Sequence, residues 1–189
     1  MSRDGVRGDT PWVPAAITGV VAFALEYLVV YLWQANRVRE SLQNVNAIID
    51  LLGGQTIPAW KIVGWLFYNA HFVSVTRPAL GGGRTTTNLI ASGDAPQLLY
   101  VLPPLFLLVA GVILVRYAGL TAPRDGALCG TVVSLGYAVP TWIGVFAFRI
   151  TTDDAWMGPA VALGLVLAGV VYPVVSGAIG GALAAVTSG

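Results

Sequence analysis

Charge is scarce in this chain. Only 10% of its 189 residues are Asp, Glu, Lys or Arg, against about 25% in an ordinary soluble domain, too few to build a surface facing water on all sides. The ten basic and nine acidic residues almost cancel, to +1. No basic tract is present, so nucleic acid is not expected as a partner. Cys129 is the only cysteine, which excludes an internal disulfide and a cysteine-based metal cluster and leaves a small packing residue. His71 is the only histidine, which excludes a multi-histidine metal site or a bis-histidine haem. The sequence has no Gly-x-Ser-x-Gly elbow and no His-Glu-x-x-His, and no Gly-Lys-Ser/Thr follows Gly81-Gly82-Gly83. Its aspartates fall in loops or near helix ends, not as a pair inside a span. No enzymatic activity, metal or cofactor is expected.

What the chain has in quantity is hydrocarbon. Hydrophobic residues make up 56% of it and the mean hydropathy is +0.76. The charges cluster, leaving uncharged runs at 98–115, 126–148 and 155–189, each long enough to cross a bilayer as a helix. The fold class that follows is all-α: a single polytopic membrane domain over 1–189, multi-pass in the cell membrane. Five spans are expected, near 12–33, 58–76, 97–117, 125–148 and 157–184. The alternative is four spans plus an interfacial or re-entrant segment at 58–76, because only 15 uncharged residues separate Lys61 from Arg77 and they make about 22 Å of helix. Lys61 would have to snorkel for that segment to cross.

The first span opens at Pro11-Trp12-Val13-Pro14, where Pro suits a helix start and Trp the headgroup level. Ala22-Phe23-Ala24 resembles a signal-peptidase site. However, Asp4 and Asp9 cancel Arg3 and Arg7, and the apolar pattern continues to Trp33, so an uncleaved span is expected. No Gly or Pro occurs from Val20 to Leu52, so nothing local stops the helix at the membrane surface. Its outer part, 36–52, spaces Val38, Leu42, Val45, Ile49 and Leu52 as an amphipathic seam, with Gly53-Gly54 to end it. That seam can lie on the bilayer, on the protein itself, or on a partner.

Later stretches carry packing and breaking signals. Arg77 to Gln97 is rich in Gly, Thr and Ser and is expected to be a flexible linker. Pro103-Pro104 either kinks the third span or starts its regular helix. In the fourth span Ala122, Gly126, Gly130, Ser134 and Ala138 recur every four residues, which predicts a groove for close helix approach, with a bend at Pro140. The last run carries Gly164, then Tyr172-Pro173, then Gly177 and Gly181. It is either one long helix or two pieces broken at Pro173.

Glu26, Lys61, Asn69 and His71 are the candidate site. An ionisable group at mid-helix costs about 2.5–3.5 kcal/mol on insertion scales, so Glu26 needs compensation. It can be protonated, pair with Lys61 or His71, or face water. The 57–76 stretch has the only intramembrane nitrogens able to meet Glu26. Wound as a helix, it puts Lys61, Gly64, Tyr68 and His71 toward one face and Ile62, Val63, Leu66, Ala70 and Val73 toward the other.

Ala59-Trp60-Lys61-Ile62-Val63-Gly64-Trp65-Leu66-Phe67-Tyr68-Asn69-Ala70-His71-Phe72-Val73, with Thr121-Ala122-Pro123-Arg124-Asp125-Gly126, resembles a group of uncharacterised haloarchaeal integral membrane proteins, some carrying a transporter label. The resemblance implies a helical membrane protein of an archaeal cell membrane and brings no catalytic residues with it. The expected function is a structural or accessory subunit of a membrane assembly. It would be a homo-oligomer, or be joined to other subunits through the 36–52 helix. The alternative is a small transporter or channel subunit with an intramembrane Glu/His/Lys proton or ion site.

Overall fold

Helix α1 runs without interruption from Trp12 to Leu51, 40 residues, in keeping with the absence of breakers after Val20. At 1.5 Å per residue it is about 60 Å long, twice the hydrocarbon thickness of about 30 Å. Its buried positions are Ala15, Gly19, Ala22, Glu26, Val30, Gln34, Ala35 and Val38. Apart from Ala35 they recur every three or four residues, one stripe laid against the rest of the protein. None lies beyond Val38. The outer turns form an arm on which Leu42 and Ile49 are half-buried and Val45, Ile48 and Leu51 are 45%, 59% and 86% exposed. Asn46 secures the return of the chain, because its amide donates to the Ile57 carbonyl at 3.0 Å and accepts from the Ile57 N–H at 2.8 Å.

The computed structural model describes residues 11–51, 54–79, 82–151 and 155–188. Leu52 and Gly53, at the predicted end of the arm, lie outside the described residues. Among those described, four helical stretches are long and apolar enough to cross a membrane: Trp12–Leu51, Gln97–Ala118, Pro123–Ala147 and Val161–Thr187. The protein is therefore all-α in class, with four stretches of that kind where five were expected, and one short segment after the first.

That short segment is α2, Ala59–Ala70, with 12 residues and about 18 Å of length, too short to cross. The chain turns at once, with Phe72 at φ 58, in the left-handed region that a bulky side chain seldom occupies. Strand β1, Val75–Pro78, follows. The expected polar and oily faces of α2 are also replaced, since every residue from Val63 to Ala70 is buried. From Val63 on the helix is enclosed all round, so no face of that part is left to be polar toward water.

The expected flexible linker is also structured. Strand β2, Arg84–Thr87, pairs antiparallel with β1, Thr86 opposite Thr76, and Thr suits a pleated strand as well as a loop. Two further strands, β3 (Ile150–Thr151) and β4 (Trp156–Pro159), complete a sheet of order β2-β1-β4-β3. Because β4 takes 156–159, the last helical run starts at Val161 and not at 157.

A 3-10 turn, Gln97–Val101, leads into α3, Leu102–Ala118. Pro103 and Pro104 fall in its first turn, where a missing N–H costs nothing. Gly119 closes it at φ 66, the left-handed cap that glycine supplies. The third of the four long stretches is α4, Pro123–Thr131, then α5, Val133–Ala147. It is interrupted at Val132, while Pro140 sits inside α5. The last span is α6, Val161–Leu163, a π-helical stretch over Gly164–Val171, and α7, Tyr172–Thr187. The wider turn absorbs Pro173, which falls in the first turn of α7 and needs no donor there.

Glycine sets how closely α4 and α7 approach. A methyl group built on Gly126 would meet the Gly181 carbonyl, and one on Gly130 would fall on that of Gly177. Gly111 of α3 also faces the Gly177 carbonyl. Gly164 instead abuts Val145. Ser134 is half-buried and lies past the interruption at Val132. Beyond that point Gly136, which is not a member of the expected ladder, packs on Ala16 of α1.

Candidate functional site

Glu26, on the buried stripe of α1, is 0% exposed. Its Oε2 accepts a hydrogen bond of 2.7 Å from the hydroxyl of Tyr137 on α5. The same hydroxyl lies 2.9 Å from Nε2 of His71, the residue that caps α2. Nδ1 of His71 is 2.8 Å from the Phe67 carbonyl oxygen, and Nε2 is 3.7 Å from Glu26 Oε1. Tyr137 and His71 are both 0% exposed. Three elements thus place a carboxyl, a phenol and an imidazole in one row. Glu26 Oε1 has no hydrogen-bond partner among the described residues.

Aromatic rings surround the row. Phe67 contacts Phe23 edge-on at 5.1 Å and lies 4.7 Å from the His71 ring. Tyr172 meets His71 edge-on at 5.1 Å. The helix termini around α2 are tied by directed polar contacts. Trp65 Nε1 donates to the Phe148 carbonyl at 2.8 Å, and the Tyr68 hydroxyl donates to that of Thr141. Thr141 Oγ1 in turn donates to the Tyr137 carbonyl. So α2 lies across the end of α5 and fixes both Tyr137 and His71.

The four residues singled out by sequence separate here. Glu26 and His71 come together. Lys61 does not join them: its Nζ donates to the Arg149 carbonyl at 2.6 Å, near the end of α5. Asn69 is buried but has a backbone task. Its amide donates to the Val73 carbonyl at 2.7 Å and accepts from the Leu89 N–H at 2.9 Å, holding the turn after α2 to the segment that leads into α3. Sequence reasoning missed Tyr137, the central member. A tyrosine carries no insertion penalty like that of a charge. The usable signal was its place on the Val133 and Gly136 side of α5, the face that meets α1.

A second feature is a cavity of about 470 Å³ lined by Gln34, Arg37, Ser41, Leu66 and Asp94 among others. Gln34 is buried, and its Oε1 has no partner among the described residues. No three of His, Cys, Asp and Glu gather to hold a metal ion among the described residues.

The chain belongs to a family of unknown function, DUF7978, whose family model matches residues 2–188. No curated protein and no solved structure matches it.

Proposed function

We propose that this protein is a membrane-embedded accessory subunit: a rigid bundle that carries the outer half of α1 as an arm to a second copy or to another membrane subunit. One observation carries the reading. Past Val38 no residue of the helix is fully buried, yet apolar residues stay turned outward, Val45, Ile48 and Leu51, among the charges Arg37, Arg39, Glu40 and Asp50. The glycine contacts between α4 and α7 support it, because backbones already touching leave little freedom for an opening path. The test is an Ile48→Glu, Leu51→Glu double variant, with complex mass measured after mild solubilisation. Both positions are exposed, so the bundle should fold as before while the assembly loses mass. An unchanged assembly would assign the arm to packing on the membrane surface.

A second reading, a small transporter or channel subunit, is favoured by the Glu26–Tyr137–His71 row. Ionisable groups buried among spanning helices are the usual parts of proton paths. Glu26→Gln in reconstituted vesicles should then abolish a flux driven by a pH gradient, since Gln keeps the shape and cannot titrate.

A further inference from the structure

We propose that Glu26, Tyr137 and His71 form a single proton-binding site, in which the carboxyl and the imidazole together hold one proton in common. The assignment follows from counting donors. The Phe67 carbonyl can only accept, so its 2.8 Å contact requires a hydrogen on Nδ1 of His71. Tyr137 has one hydrogen and two neighbours in bonding range, Glu26 Oε2 at 2.7 Å and His71 Nε2 at 2.9 Å.

With Glu26 ionised and His71 neutral, both neighbours are acceptors and compete for the one phenolic hydrogen. One of the two close contacts then faces lone pair to lone pair. With Glu26 protonated and His71 an imidazolium, both neighbours donate to the phenol, whose own hydrogen is left without an acceptor in the row. One added proton resolves the row in two equivalent ways. In the first, Glu26 donates to Tyr137 and Tyr137 donates to Nε2. In the second, Nε2 donates to Tyr137 and Tyr137 donates to the carboxylate. The two differ by moving one hydrogen across each contact, with no change in the total, and each carries no net charge.

The surroundings favour that count. The other buried polar residues among those described are Gln34, Asn69, Thr141 and Ser176, none of them charged. The titratable groups facing the row are phenols, Tyr172 against His71 and Tyr68 beside Phe67. Lys61 is occupied at the Arg149 carbonyl. Among the described residues a net charge here would have no counter-ion, and an unpaired buried charge is the costliest arrangement available.

The sequence makes the site readable in the intact protein. It has one histidine and two glutamates, Glu26 and Glu40, and Glu40 is exposed on the arm. Nitrogen-15 histidine and carboxyl-carbon-13 glutamate labels, read by solid-state NMR in lipid bilayers at neutral pH, report the count directly. Glu40→Gln assigns the remaining glutamate signal. The expected result is a protonated Glu26 carboxyl with a His71 bearing hydrogen on Nδ1 alone, or an ionised carboxylate with an imidazolium. Either is one shared proton. An ionised Glu26 beside a neutral His71, or a protonated Glu26 beside an imidazolium, would overturn the proposal. A null flux result in vesicles would count against transport and leave the proton count standing.

Discussion

Two regions of the bundle differ in what is added to close backbone packing. Where α4 meets α7, the contact is backbone on backbone through Gly126, Gly130, Gly177 and Gly181, and no side-chain hydrogen bond joins the two helices among the described residues. Where α1, α2 and α5 meet, Gly19 and Gly136 also bring backbones together, but directed polar side chains are added to that contact, Glu26, Tyr137, His71 and Trp65, inside a shell of aromatic rings. Lipid supplies little hydrophobic drive between helices, so close packing and hydrogen bonding are the two remaining sources of association. The glycine seam is intolerant of added volume and indifferent to polarity. The polar region tolerates shape-conserving change and is sensitive to any loss of a donor or acceptor.

The largest effect should come from violating the seam. Gly130→Leu places a branched side chain on the Gly177 carbonyl, and overpacking costs about 1–3 kcal/mol even in more forgiving cores. Loss of the folded bundle, read as loss of a monodisperse species in detergent, is the expected outcome. Wild-type thermal stability would mean that the α4–α7 contact is not the close one described.

Next in size is Tyr137→Phe, which keeps the ring and deletes the hydroxyl that joins Glu26 to His71. Leaving a buried polar group unpaired costs about 1–3 kcal/mol, and here two groups are orphaned. Glu26→Gln should cost less, because an amide can still meet the phenol. Chemical denaturation of both variants sharpens the comparison, and equal destabilisation would argue against a hydroxyl-centred row.

Asn69→Ala removes the bonds to Val73 and Leu89 and should destabilise by about 1–3 kcal/mol as well. It should also raise hydrogen exchange in residues 72–90 ahead of the bundle. Uniform exchange across the chain would show that the turn and the bundle open together. The smallest effect on stability is expected on the arm, where Ile48→Glu should stay within about 0.5 kcal/mol while complex mass changes.

Sequence legibility follows the same division. Glu26 and His71 were readable because a charge in hydrocarbon demands an explanation, and the continuity of α1 was readable because no residue interrupts it. The glycine contacts were partly readable. Spacing found Gly126, Gly130, Gly177 and Gly181, but not Gly136, which lies beyond the break at Val132 and meets Ala16 of α1. The end of α2 was not readable, because a tertiary contact, Asn69 to Leu89, fixes the turn and nothing in the local pattern announces it. The sheet was least legible. A Thr-rich stretch reads as linker until its partner is known, and for β1 one partner is β4, about eighty positions later.

That last pairing bears on how the protein is made. Lys61 reaches the Arg149 carbonyl and Trp65 that of Phe148, across separations of 88 and 83 residues, and Val75 pairs with Pro159. During synthesis α2 therefore emerges with α1 to pack on, through Val30, Ala35 and Val38, but long before the end of α5 and strand β4 exist to cover its other side. It must wait as a short apolar helix while α3, α4 and α5 are made. Contacts of such high order close slowly, so the docking of α2 should be a late event in biogenesis, and nascent chains truncated before Phe148 should leave α2 open to protease.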